Sequence, residues 1–145
     1  MGKPHAIVIP YPAQGHVLPM MELSQCLVRH KIKVTFVNTE YNHERVVKSL
    51  SNSDDNTRQM VNMLSIRDGV EPWEDRNDLG KLTDAMTRVM PVELGALIEK
   101  LNGDGDQVTC VIADGQFGWA YEVAERARIK KRVSGQRRRR RWHCC

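Results

Sequence analysis

Two residues of this 145-residue chain have the types and positions needed for proton transfer. His16 follows the apolar run His5–Pro10 across the loop Tyr11-Pro12-Ala13-Gln14-Gly15, and Asp114 follows a second apolar run, Val108–Ala113. A neutral imidazole can take a proton from a hydroxyl. A carboxylate on its other nitrogen fixes the tautomer and steadies the imidazolium. No Ser or Cys stands in a GxSxG-type turn, which argues against a hydrolase triad. A base without a protein nucleophile suits activation of a substrate hydroxyl. Both residues also have a plain structural reading. Asp is a favoured helix N-cap, and Asp114 stands where a helical pattern starts. A histidine at a helix start can bond nearby backbone. Spacing leaves the two readings open.

The other chemical motifs are weaker. The loop at 11–16 has one glycine, so it is neither a GxGxxG turn nor a P-loop, and direct phosphate cradling there is disfavoured. Cys26, Cys110, Cys144 and Cys145 form no CxxC pair, so no metal site is expected. Cys26 and Cys110 lie in apolar patterns and read as buried reduced thiols. His5, His30 and His43 have no partner at ligand spacing.

The elements that must position His16 and Asp114 alternate between strand and helix. HAIVIP at 5–10 reads as a buried strand, and the apolar residues from Val17 to Val28 fall at helical spacing, with Pro19 in the first turn. Ile32–Val37 is a second strand, Asn42–Leu50 a short helix and Ser51–Thr57 a polar loop. Val61–Ile66 is a third strand, followed by an acidic loop, Gly69–Asn77, in which Trp73 is read as a local anchor. A helical stripe runs from Leu79 to Leu101, which Pro91 should kink or divide. Val108–Ala113 is a fourth strand and Gln116–Arg126 a helix. Strands one and four are continuous apolar runs, as expected of a parallel sheet covered on both faces. The fold class is therefore α/β, a doubly wound, Rossmann-like parallel sheet. In the strand order 3-2-1-4, strands one and four are neighbours, and His16 can meet Asp114 beyond their carboxyl ends.

Composition excludes some classes and divides the chain. The apolar fraction of 41% and charged fraction of 28% are ordinary for a globular protein. No apolar run approaches the length of a bilayer span, and no secretory signal pattern opens the chain, so a cytoplasmic protein is expected. The net charge of +4 averages two unlike parts. Residues 126–145 hold ten basic residues and no acid, which leaves twelve basic against eighteen acidic residues in 1–125, a net of −6.

HAIVIPYPAQGHVLPMMELSQCL, KVTFVNTEYNHERV, SIRDG and VTCVIADGQFGWAYEVAER, in that order, resemble the N-terminal half of plant UDP-dependent glycosyltransferases. The resemblance covers residues 4–133, and PYPAQGH followed by Leu18-Pro19 is its most specific piece. It implies the acceptor-binding domain of a two-domain GT-B enzyme that transfers a sugar from a UDP-sugar to a small-molecule acceptor with inversion. It places His16 on the family's catalytic base and Asp114 on its partner carboxylate. Gln14, Gly15 and Phe117 become candidates for the acceptor site. Core packing is the alternative for Phe117 and is favoured for Trp119, Met86 and Met90. UDP-sugar is implied as co-substrate, with no metal and no other cofactor.

After Glu125 the resemblance thins. Ile129–Val133 reads as the remnant of a further strand, and SGQRRRRRWHCC matches nothing in the family. The expected organisation is a partial acceptor domain at 1–133 and a disordered basic tail at 134–145. The fifth and later strands and the UDP-sugar domain are expected to be absent. The expected chain is a truncated one, with a frameshift as one origin, and inactive by itself. Two other readings stand beside this one. One is a non-catalytic binder of acceptor-like molecules. The other is a nucleic-acid-binding or nuclear protein acting through Arg137–Arg141 and Trp142. The second is disfavoured because the basic run lacks a folded platform. The sequence carries no signal of oligomeric state.

Overall fold

In a computed structural model, the backbone is described for residues 4–11, 14–51, 61–71, 73, 74, 77–114, 117–127 and 129–134. The side chains of 14–16, 46, 47, 49–51, 79 and 130–134 lie outside the described set. The expected loop at 52–57, Cys144, Cys145 and the tail beyond Ser134 also fall outside it.

The elements alternate as β1 (His5–Ile9), α1 (Gln14–Arg29), β2 (Lys33–Thr39), α2 (Glu40–Ser51), β3 (Asn62–Ile66), α3 (Leu79–Gly103), β4 (Cys110–Asp114), α4 (Gly118–Arg126) and β5 (Lys130–Ser134). The strands form one sheet in the order β3-β2-β1-β4-β5. All four strand pairings are parallel. Each connection must therefore cross over a face of the sheet, and the helices supply those crossovers.

Two cores follow from strand alternation. Ile7, Ile9, Val37, Val111 and Ala113 pack on one face with Leu82, Met86, Met90, Leu94 and Ile98 of α3 and with Ala120, Val123 and Ala124 of α4. Ala6, Val8, Val34, Phe36 and Ile112 pack on the other face with Val17, Met20, Met21 and Val28 of α1. Neighbouring residues of β1 are buried on opposite faces, which is why the run reads as continuously apolar.

Several expectations need correction. Pro91 does not divide its helix, since α3 runs unbroken for 25 residues. The missing N–H is outweighed by burial on both sides of it, because Met86, Met90, Leu94 and Ile98 are each no more than 1% exposed. Asp78 caps the start of α3, its carboxylate accepting from Lys81 N at 3.2 Å. The fifth strand, expected to be absent, is present: Lys130–Ser134 pairs along β4 from Cys110↔Lys130 to Asp114↔Ser134. Its basic residues hid it, but backbone pairing beside a central strand tolerates charge. It ends at Ser134, one residue past the expected domain boundary. Trp73 is 80% exposed, which does not fit a local anchor. Cys26 is half-buried, not fully buried as expected. Cys110 forms no disulfide, as expected, but is only half-buried.

The amino edge of the sheet is closed by His5. Its ring Nδ1 lies 3.0 Å from the Asp106 carbonyl and its Nε2 2.7 Å from Thr35 Oγ1. A carbonyl only accepts, so Nδ1 carries the proton and Nε2 accepts from the threonine hydroxyl. Lys33 Nζ reaches Asp106 Oδ1 at 2.6 Å. The His5 backbone N–H donates to Thr109 Oγ1 at 2.9 Å. This network ties β1, β2 and the α3–β4 loop together.

Candidate functional site

The opposite, carboxyl edge is where doubly wound sheets hold ligands. Asp114 is the last residue of β4 and is 7% exposed. It is not the N-cap of the following helix. That position belongs to Phe117, which makes no side-chain cap hydrogen bond. The capping reading of Asp114 is therefore set aside. The Asp114 carbonyl accepts from Phe117 N at 2.8 Å.

His16 lies in the first turn of α1, which begins at Gln14, three residues ahead of the expected start. The register Ile9↔Ala113 sets the carboxyl ends of β1 and β4 side by side. The elements bearing His16 and Asp114 are thus brought together as the predicted strand order requires. The side chains of Gln14, Gly15 and His16 lie outside the described residues.

Phe117 sits 2% exposed in the core shared with α3 and α4. Its ring is 5.6 Å from that of Tyr11 and 5.0 Å from that of Trp119, with tilts of 43° and 42°. These are attractive tilted aromatic geometries. They bolt the end of β1 to the start of α4. Trp119 is only half-buried, at the margin of that core, whereas Phe117 is inside it. Met86 and Met90 are core residues, as favoured.

Sequence reasoning missed two groups at this edge. Burial pushes the Tyr121 hydroxyl above the usual tyrosine range, and the Asp114 carboxylate pushes it the same way. Tyr121 therefore stays a neutral phenol within electrostatic reach of Asp114. Asn38, next to last in β2, is 2% exposed. The signal for it was an amide on the same strand face as Val34 and Phe36 in KVTFVN. Among the described residues, no group of three or more His, Cys, Asp or Glu is placed to hold a metal ion. No described helix is long and apolar enough to cross a membrane.

No family model matches the chain. Individual proteins do. UDP-glycosyltransferase 83A1 of Arabidopsis thaliana is 45% identical over 137 residues, covering 90% of this chain and 30% of the relative. (R)-mandelonitrile beta-glucosyltransferase of Prunus dulcis is 35% identical over 127 residues, covering 85% of this chain and 26% of the relative. Among solved structures, Os79 from O. sativa in complex with UDP superposes with a TM-score of 0.73 at 23% identity, over 88% of this chain and 28% of that one. Arabidopsis thaliana UGT89C1 complexed with quercetin gives a TM-score of 0.71 at 20% identity, over 90% of this chain and 34% of that one. The chain thus spans about 26–30% of the length of these curated relatives. A five-stranded Rossmann-like sheet that superposes on GT-B enzymes, together with up to 45% identity, makes this chain a member of the plant UDP-glycosyltransferase family, matching the N-terminal half of its relatives.

Proposed function

We propose that this chain provides the acceptor-binding and proton-accepting half of a sugar transfer from a UDP-sugar to a small hydroxylated molecule. The observation that carries the reading is the adjacency of β1 and β4, which puts buried Asp114 beside the chain segment that leads into His16. In this reading His16 takes the acceptor proton as the oxygen attacks the anomeric carbon. The imidazolium is steadied by Asp114, and UDP leaves with the sugar–phosphate electron pair. Gln14 and Gly15 shape the mouth of the site. Phe117 acts from below, holding the half-buried Tyr11 and Trp119 as its apolar wall.

A base speeds the attack only when the electrophile is held in line with it. The sugar nucleotide is therefore held by a second, sugar-nucleotide-binding domain, as in the two-domain relatives. The basic segment after Ser134 is given no part in this machinery, and the cytoplasm is read as the compartment.

The test joins this chain to the remaining portion of the Arabidopsis 83A1 relative and follows glucose transfer from UDP-glucose to a hydroxylated acceptor. The chain alone should show no turnover and the joined protein measurable turnover. His16→Ala and Asp114→Asn in the joined protein should each lower kcat by about 10²–10⁴-fold. Unchanged kcat in both variants would overturn the assignment.

A further inference from the structure

The carboxyl edge holds a second buried polar group, which the acid–base pair does not use. Asn38 is 2% exposed, and among the described residues neither its Oδ1 nor its Nδ2 has a hydrogen-bond partner. Folded chains rarely leave both ends of a buried amide unmet, because the desolvation cost is not repaid.

Its placement follows from the strand repeat of two. Val34 and Phe36 face α1, so Asn38 shares that face. Ile112 faces α1 too, so Asp114 does as well. Extending the registers Val8↔Phe36 and Val8↔Ile112 by two residues sets Pro10 between Asn38 and Asp114. The two polar residues thus flank the end of β1, about 9–10 Å apart at Cα, on the face over which α1 begins. Pro10 between them offers no N–H and no polar side chain.

We propose that Asn38 is a recognition residue of the acceptor site, its carboxamide both donating to and accepting from a neutral hydroxyl of the ligand. The proposal rests on the acceptor-site reading above. An amide presents donor and acceptor together, and a hydroxyl answers both. A carboxylate would meet only Nδ2 and would sit close to the like charge of Asp114. Because the amide is closed off from solvent in the ligand-free form, its neighbours shift slightly on binding, as side chains commonly do at binding surfaces.

The experiment uses the full chain, with quercetin and 7-deoxyloganetin as probes, and compares wild type with Asn38→Leu by thermal denaturation and titration. Quercetin, 7-deoxyloganetin or both should raise the wild-type melting temperature. Asn38→Leu should melt no lower than wild type without ligand, because an orphaned amide has been replaced by an apolar group of similar size. It should bind the probe at least tenfold more weakly. Equal binding by wild type and Asn38→Leu would overturn the role of Asn38 while leaving the acceptor site standing. No binding of either probe by wild type would overturn the acceptor reading, and this assignment with it. Should Asn38→Leu fail to fold, the side-chain amide resonances of Asn38 in wild type decide. Movement on adding the probe supports the role, and constancy while other resonances move overturns it.

Discussion

His5 shows how much one side chain can carry when its tautomer is dictated. It is 2% exposed, and both ring nitrogens are engaged across three segments distant in sequence. Burial holds its pKa below the ordinary 6.5, and the nearby Lys33 charge pushes the same way. The Asp106 carbonyl and carboxylate oppose them with smaller effect. Protons therefore bind the unfolded chain more readily than the folded one. The stability from this histidine is complete above about pH 6.5 and is lost as the pH falls through the lower, folded-state value. Urea titrations between pH 7.5 and 5 should show stability declining with acidity, and His5→Phe should flatten that part of the decline. At neutral pH the same variant should cost about 1–3 kcal/mol, because it orphans the Thr35 hydroxyl and the Asp106 carbonyl. The Asp106 carboxyl is itself held low, chiefly by its hydrogen bond from Lys33. That pair is more than one-third exposed on both sides and contributes little.

At the scale of elements, α3 explains how a helix survives an internal proline and how the loop before it is fastened. Its buried stripe spans both sides of Pro91, so core packing replaces the lost backbone bond. The incoming loop turns at Gly69, whose φ is +85°. A Cβ there would stand 2.7 Å from Val89 Cγ2 and 2.8 Å from the Ala85 carbonyl oxygen. The carbonyl belongs to the helix and cannot give way. Asp68 braces the same turn, its carboxylate accepting from Val70 N at 2.9 Å. Gly69→Ala should therefore destabilise the fold by about 1–3 kcal/mol in denaturant unfolding, from strain and overpacking together. Truncating Val89 to Ala as well should recover only part of that, since the carbonyl contact and the positive φ both remain. Sequence gave the turn's composition, but not that the helix beneath it leaves no room for a Cβ.

At the scale of the whole molecule, charge and fold separate at a definite residue. The sheet takes in Lys130–Ser134 as its fifth strand, so five of the ten C-terminal basic residues belong to the folded body. Residues 1–134 then carry seventeen basic and eighteen acidic residues, a net of −1, and Arg137–Arg141 supply the rest. A chain ending at Ser134 should keep its cooperative unfolding transition and lose the basic isoelectric point. A chain ending at Ile129 should lose stability sharply, because β4 would be left without its neighbour. Any salt-dependent shift of RNA by the full chain should vanish on removing 135–145. Persistence of that shift would point to the folded body and favour the nucleic-acid reading.

Strand and helix alternation, strand order and the adjacency of the His16 and Asp114 segments were all legible in the residues. Apolar periodicity and the handedness of parallel crossovers leave few alternatives for such a pattern. Tertiary structure decided what depends on neighbours distant in sequence. A basic segment became a strand because β4 offered an edge, and a proline stayed inside a helix because both flanks were buried. Asp114 ended a strand instead of capping a helix because pairing with Ser134 of β5 carried the sheet one residue further than its apolar run. The buried amide of Asn38 and the clasp at His5 likewise arise only when strands far apart in the chain lie side by side. Local sequence sets which elements form, and the sheet register sets which side chains meet.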